Sequence, residues 1–288
     1  MIDVLVVGGI GVDHNVRVPA LPPPNVDTIL VPPISSHLGH AGYGVAAGYA
    51  AQGLRTVICD VIGEDLEGRM VRDYYAASAV ELRAVTHAAG TRRSVNLVAP
   101  DGTRTSLYDP RHPYDLLPDS ALWRDGLRQA RLVHAVIVNW ARHPLREAVA
   151  QGVLTATDLQ DWDGTNLHHR EFAELADLVF MSSANLGQRA PEVAGSVLAE
   201  GRARMVAVTR GAAGSTVYPR AGEPFEVPAV PLPAGTVLDS NGAGDAFAAA
   251  FTAEVLRGET LEKAGEAGAI AGAVAIVADG DVAALAAG

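Results

Sequence analysis

Hydrophobic residues along the chain fall into short runs separated by longer stretches of mixed character. Val4 to Val7 is an apolar run closed by Gly8 and Gly9, the pattern of a strand buried on both faces. Residues 19 to 33 are crowded with prolines, which predicts loop or edge structure there. Gly42 to Gly53 is small and Ala-rich, suited to a helix packed tightly on a sheet. Thr56 to Val61 reads as the next strand and Leu66 to Ala77 as an amphipathic helix. Between residues 80 and 109 the period becomes two. Val80 to Val85, Ser94 to Val98 and Thr103 to Tyr108 each alternate, and Asp101-Gly102 supplies a hairpin turn. Such alternation predicts strands with one wet face, hence an antiparallel sheet outside the main core.

After Arg131 the rhythm of strand and helix returns. Strands are predicted over Leu132 to Val138, Val153 to Thr157, Leu178 to Met181 and Met205 to Thr209. Helices are predicted near 144–151, 167–175 and 190–200, then over 243–257 and 260–278. Alternating β and α elements imply an α/β fold whose mostly parallel sheet is covered by helices on both faces. The expected organisation is one domain over residues 1–288, with a small β-sheet lid formed by segments 14–36 and 80–109.

Composition narrows the function. Of the 288 residues 49% are hydrophobic, enough for a sizeable core. The formal charge is −11, Lys263 is the only lysine, and no basic stripe interleaved with aromatics occurs, so nucleic acid is not an expected partner. Cys59 is the single cysteine, which excludes an internal disulfide and a cysteine-rich zinc site. Asp3 interrupts any signal-peptide core, and the longest apolar run, Ala267 to Ala278, is too short to span a bilayer. These features predict a cytoplasmic protein with no membrane partner.

The chemistry concentrates in Asp239-Ser240-Asn241-Gly242-Ala243-Gly244-Asp245-Ala246-Phe247. Gly242 and Gly244 permit a tight turn, and Phe247, Phe251 and Val255 recur at helical spacing, so the turn opens a helix. A helix start with free amides is an anion site. A carboxylate beside a bound anion is electrostatically unfavourable unless it has a task. In phosphoryl transfer Asp245 has one, taking the proton from an attacking hydroxyl while the amides hold the γ-phosphate. The competing reading is an acidic first turn that stabilises the helix dipole, with glycines for close packing.

This segment resembles the D-T-x-G-A-G-D-x-F signature of the ribokinase (PfkB) family of carbohydrate and nucleoside kinases. The resemblance implies a ribokinase-like three-layer α/β/α fold, with Asp245 as catalytic base and the amides of Gly242, Ala243 and Gly244 as the anion hole. It implies ATP with Mg²⁺, a potassium-binding role for Asp239, and a homodimer formed through the lid. Ser240 stands where the family has threonine. Gly39 to Ala46 resembles the G-G-x-G-x-N-x-A signature that approaches substrate, with His40 at the second glycine and Gly44 at the asparagine. Gly39, His40, Gly42 and Gly44 are therefore candidate substrate-binding positions. Gly8 to Asp13 resembles the opening strand and turn, which makes Asp13 the residue that grips substrate hydroxyls. Val208 to Gly214 resembles the T-x-G-x-x-G nucleotide loop and assigns Thr209, Gly211 and Gly214 to ATP. The family's N-x-x-E falls on Ser182 and Asn185, which keeps polarity and loses a carboxylate. ATP is expected along 182–185, 209–214 and the 260–278 helix. Asn139 and Asp158, at predicted strand ends, are candidates for the cleft, because ligand sites of open parallel sheets lie beyond such ends. Arg92, Arg93, Arg104 and Arg111 fall on the expected lid.

Rival readings fail on specific residues. A dinucleotide fingerprint after Val7 needs a third glycine at position 14, which is His, and a helix that Pro19 and Pro22 interrupt. No Gly-Lys pair of a P-loop and no G-x-S-x-G elbow occur. The sequence leaves the acceptor open among sugars, sugar acids and nucleosides. It also leaves open a kinase-like protein that senses its ligand.

Overall fold

The computed structural model describes residues 1–100, 102–233 and 241–277. The predicted Asp101 turn residue, Asp239 and Ser240 lie outside them. The first half runs β1 (Ile2–Val7), β2 (Gly11–Arg17), β3 (Ser35–Gly39), α1 (Ala41–Ala51), β4 (Thr56–Ile62), α2 (Leu66–Ala76), β5 (Glu81–Thr86), β6 (Arg93–Val98) and β7 (Arg104–Asp109). The second half runs α3 (Ala121–Leu127), β8 (Ala130–Ala135), α4 (Arg142–Ala150), β9 (Leu154–Asp158), α5 (Leu167–Leu175), β10 (Leu178–Ser182), α6 (Ala190–Glu200) and β11 (Met205–Thr209). It closes with β12 (Ser215–Pro219), β13 (Phe225–Val227), α7 (Ala243–Arg257) and α8 (Leu261–Val277).

A nine-stranded sheet has the order β13-β12-β11-β10-β9-β8-β1-β4-β5. It is parallel from β11 to β5 and antiparallel through β12 and β13. Side chains of the central strand β1 alternate between the two faces: Leu5 and Val7 pack with α3, α4, α5 and α6, whereas Val4 and Val6 pack with α1, α2 and α7. Both faces are dry, which explains the unbroken apolar runs of the inner strands. The three-layer α/β/α arrangement is as expected.

The lid differs from the expectation in two respects. Its sheet is β3-β2-β6-β7, so only 11–17, 35–39, 93–98 and 104–109 contribute strands. Residues 18–34 are mostly exposed and contain no strand, as their prolines dictate. The alternating segment at 80–85 belongs to β5, which pairs parallel to β4 at the edge of the main sheet (Val57 opposite Glu81). An edge strand is half-wet like a lid strand, so period two does not separate them. The predicted strand 132–138 leaves the ladder after Ala135, and α3 occupies a stretch to which the pattern assigned no element.

Two ties root the lid in the core. Asp60 on β4 is fully buried and accepts from the Ile10 amide (2.7 Å) just before β2. It also accepts from Arg92 Nη1 (2.8 and 2.9 Å) just before β6. Asp65 caps α2 through the Gly68 amide and accepts from the amide and hydroxyl of Thr91 (2.8 and 2.7 Å). Arg92, read as a lid cation, is thus a buried structural group. Arg93 pairs with Glu67 and Asp109, and Arg111 lies by Asp65 and Asp109.

Helix α7 is apolar nearly all round because α1 and the sheet cover one side and α8 covers the other. Ala47, Ala246, Ala250, Ala271 and Ala275 form the small-residue seam of these three helices. Within it a Cβ on Gly48 would stand 2.7 Å from the Ala249 Cβ, closer than carbon atoms approach. Gly48→Ala should therefore destabilise the protein by about 1–2 kcal/mol in urea unfolding, overpacking of about 1–3 kcal/mol outweighing a helix-propensity gain of about 1 kcal/mol. A variant more stable than the parent would show that the helices are free to part.

Candidate active site

Three backbone segments meet at one end of the sheet: the turn after β1, the start of α1 and the start of α7. Gly8 and Gly9 adopt φ near 80°, which turns the chain after β1. The Gly42 amide donates to the Gly9 carbonyl (2.8 Å), and a Cβ on Gly42 would lie 2.0 Å from the Gly8 carbonyl oxygen. Two residues further, a Cβ on Gly44 would stand 2.2 Å from Asp245 Oδ2 and 2.8 Å from the Asp245 Cβ. The carboxylate therefore lies directly on the backbone of α1, and no side chain at position 44 fits beneath it.

Gly242 precedes α7 in the left-handed region (φ 76°), as the double-glycine turn predicted. The first amides of the helix have no partner within it and carry the positive end of its dipole, a setting that favours negative charge nearby. Asp245 sits in that first turn, half-buried. Burial raises its proton affinity well above the usual carboxylate range, and the charges of Asp158 and Asp13 raise it further. Asp158, at the end of β9, is itself raised by burial, against a hydrogen bond from the Gln160 amide (2.7 Å).

A cavity of about 760 Å³ opens between the main sheet and the lid, and it reaches Asp13, Gly39, His40, Gly44, Gly242 and Asp245. Asp13 is buried on β2. Burial opposes its ionisation, but hydrogen bonding from His40 and Ser94 and the nearby charge of His40 and His37 draw it below its usual range. His40 Nε2 lies 3.3 Å from Asp13 Oδ1 and 3.0 Å from the Ser94 hydroxyl. Its ring meets Tyr108 edge-on at 5.5 Å and occupies the space over Gly11, where a Cβ would come within 2.3 Å of it. The His40 backbone has φ 69° and ψ 159°, a conformation almost reserved for glycine that costs about 1–3 kcal/mol in other residues.

Asn139 does not join this group. Its side-chain amide donates to the Tyr114 carbonyl, and the cavity is lined instead by Val136, Ile137 and Val138 just before it. Gly42 serves the fit of α1 on the β1 turn and is not among the cavity-lining residues. The lid residues Asn15, Asn96 and Ser106, together with Gln160, line the cavity without having been singled out in the sequence. Period two placed them on one face of the lid strands, but only the pairing tells which face looks inward.

The predicted nucleotide positions gather further along the same end of the sheet. Ser182 and Thr209 are register partners at the ends of β10 and β11, next to Asp158 at the end of β9. Gly211 and Gly214 turn the following loop with positive φ, and the Arg210 amide closes it onto the Gly214 carbonyl (2.7 Å). Asn185 is exposed and donates to the Asp161 carbonyl and carboxylate (2.6 and 3.1 Å), so Asp161 supplies a carboxylate beside the position that lacks one.

A cavity under the lid, a glycine-led helix start and a polar strand edge thus follow one another along one end of the sheet. The chain belongs to the pfkB family of carbohydrate kinases, whose pattern it matches over residues 1–286. It is 41% identical over 274 residues to the acarbose 7(IV)-phosphotransferase of an Actinoplanes species, covering 95% of this chain and 91% of that protein. A solved microbiome-derived acarbose kinase has 49% identity and a TM-score of 0.90, covering 96% of this chain and 93% of that one. Arabidopsis thaliana ribokinase, solved with ribose and ATP, shares the fold at 20% identity and a TM-score of 0.77, covering 96% and 92%. The chain is thus a carbohydrate kinase. No helix among the described residues is long and apolar enough to cross a membrane.

The raised proton affinity of Asp245 has a signed consequence for stability. Between the ordinary carboxylate range, about 3.9, and its native value, the folded protein holds more protons than the unfolded chain, so stability falls as pH rises through that window. Asp245→Asn should therefore melt at a higher temperature than the parent at pH 7 and show a flatter dependence between pH 4.5 and 8. A lower Tm for the variant at pH 7 would contradict this.

Proposed function

We propose that the protein transfers the γ-phosphoryl group of ATP to a hydroxyl, by preference a primary alcohol, of a carbohydrate held between the lid and Asp245. The observation that carries this reading is the placement of Asp245, in the first turn of α7 and open to the acceptor cavity, beside amides that suit an anion. As the acceptor oxygen forms its bond to the γ-phosphorus, the bond to the β,γ-bridging oxygen breaks and ADP departs with that electron pair. The hydroxyl proton passes to Asp245, whose raised affinity makes it a better base than an ordinary aspartate. The amides of Gly242, Ala243 and Gly244 take up the charge on the transferring group.

ATP would extend past Ser182 and Asn185 toward Thr209, Gly211, Gly214 and the α8 side. Mg²⁺ bound with the nucleotide would neutralise phosphate charge, and Asp158 and Asp161 offer the hard oxygen donors it prefers. Asp239, the expected potassium ligand, lies outside the described residues. The two acarbose-directed relatives favour an acceptor of that chemical class, and the polar lining of the lid suits a carbohydrate better than a nucleobase. A reaction that consumes ATP suits a cytoplasmic protein.

The lid edge supports the expected homodimer. Among the described residues β7 pairs only with β6, and Leu107 on its outward side is 55% exposed. An open, partly apolar edge strand invites pairing with a second copy.

Asp245→Asn should lower kcat by about 10²–10⁴-fold in an assay of ADP release with acarbose as acceptor. ATP affinity by calorimetry should stay within a few-fold, and parallel loss of both would make Asp245 a structural residue. Leu107→Arg should convert a dimer into a monomer on size-exclusion chromatography with light scattering. A parent already monomeric at micromolar concentration would remove the lid interface.

A further inference from the structure

We propose that the inner face of the lid carries a distal saccharide subsite, centred on Asn15, Asn96 and Ser106, that selects an oligosaccharide acceptor over a single sugar ring. The inference rests on the phosphotransfer reading above and adds which residues read the acceptor beyond its reacting ring.

Strand alternation and register sort the inward side chains of the lid into rows. Asp13, Ser94 and Tyr108 are aligned across β2, β6 and β7 in the row nearest the reacting end. Two residues further out, Asn15, Asn96 and Ser106 are aligned in the same way. A third row holds Arg17 and Arg104. All of these residues line the cavity. At the rise of an extended strand, successive rows stand about 7 Å apart and the third lies about 13 Å from the first. A ring held at Asp13 with its hydroxyl at Asp245 leaves the outer two rows unused. The volume of about 760 Å³ falls in the range that encloses a drug-sized ligand, well beyond one six-membered ring.

The second row is organised as a one-way chain of hydrogen bonds. The Ser106 hydroxyl donates to Asn96 Oδ1 (2.6 Å), Asn96 Nδ2 donates to Asn15 Oδ1 (3.0 Å), and Asn15 Nδ2 donates to His37 Nε2 (2.9 Å). His37 Nδ1 donates in turn to the Leu38 carbonyl (2.9 Å), which fixes the tautomer that can accept from Asn15. The chain orients both carboxamides while consuming only one N–H and one acceptor position on each. What remains, a donor and acceptor capacity on each amide, matches sugar hydroxyls, which also do both. Preorganised amides of this kind bind without a further ordering cost.

At the outer end, Arg104 Nη1 donates to Asn241 Oδ1 (2.8 Å) in the turn before α7. This bond joins the third row to the segment that leads into the anion site, so the mouth of the cavity is bounded by the lid on one side and the catalytic turn on the other. An acceptor that fills the outer rows would touch both.

The test uses acarbose and fragments of it shortened ring by ring from the end remote from the phosphorylated hydroxyl. Binding is measured by calorimetry without ATP, and turnover by ADP release. Full-length acarbose should bind at least tenfold more tightly than the one-ring fragment. In Asn96→Leu, the ratio of kcat/KM for acarbose over that for the one-ring fragment should fall at least tenfold, mainly through KM for acarbose. Ser106→Ala, a smaller change on the edge strand, should shift the same ratio in the same direction and covers the case in which Asn96→Leu fails to fold. Equal binding of long and short fragments, or equal effects of these substitutions on both, would overturn the subsite while leaving phosphotransfer intact. Absence of turnover with every carbohydrate, alongside length-dependent binding, would instead overturn phosphotransfer and keep the subsite.

Discussion

The close crossing of α1 and α7 fixes where the carboxylate of Asp245 can stand. Gly44 and Gly48 lie one turn apart on α1, and Asp245 and Ala249 lie one turn apart on α7, so the two helices meet through atoms no larger than a Cβ. At this separation Asp245 cannot retreat toward α1, and the helix start behind it holds its own amides in place. Its desolvation follows from the same approach, because backbone replaces water on one side of the carboxylate. The raised proton affinity and the fixed position of the carboxylate are therefore two results of one packing decision. The penalty of holding a charge there is carried by the core, where alanines of α1, α7 and α8 interlock.

The lid must be held with comparable precision, and it is held at its roots. Asp60 accepts from the chain entering β2 and from Arg92 entering β6, with both charged groups buried. Removing one partner of such a pair leaves an uncompensated buried charge, a loss of about 3–5 kcal/mol. Among the described residues the outer lid has no buried ion pair of this kind, only the exposed Arg104–Asn241 bond, and β7 is exposed along most of its length. The lid is thus held most firmly at the end that carries Asp13 and less firmly at its rim.

How much of this was legible in the sequence depended on whether the signal was local. The helix opened by Gly242 was legible because glycine spacing and the Phe247, Phe251 and Val255 period are both properties of adjacent residues. The inner strands were legible because burial on both faces writes itself as an apolar run. β5 was misassigned because an edge strand of the main sheet and a lid strand present the same half-wet alternation, and only pairing distinguishes them. Asn139 was misplaced for a related reason: the strand ends at Ala135, four residues earlier than the asparagine, and the cavity wall is made by the residues between. The row of Asn15, Asn96 and Ser106 was invisible because its members come from strands far apart in sequence. Asp161 escaped notice because its relation to Asn185 is a contact between two loops.

His40 shows how a departure from a family pattern can be read physically. A histidine placed where glycine is favoured carries backbone strain, and strain of that size persists only where surrounding groups hold it. Here the holding groups are Asp13, Ser94 and the edge of Tyr108, all on the lid, with Gly11 leaving the space beneath the ring. The same contacts occupy one oxygen of Asp13, which leaves that carboxylate less hydrogen-bonding capacity toward the cavity. The unspent donors and acceptors of the second row are where the lid can offer further contacts to a ligand. Narrowing of the inner contacts and extension of the outer ones are thus coupled features of one surface, both set by what each lid strand turns toward the cavity.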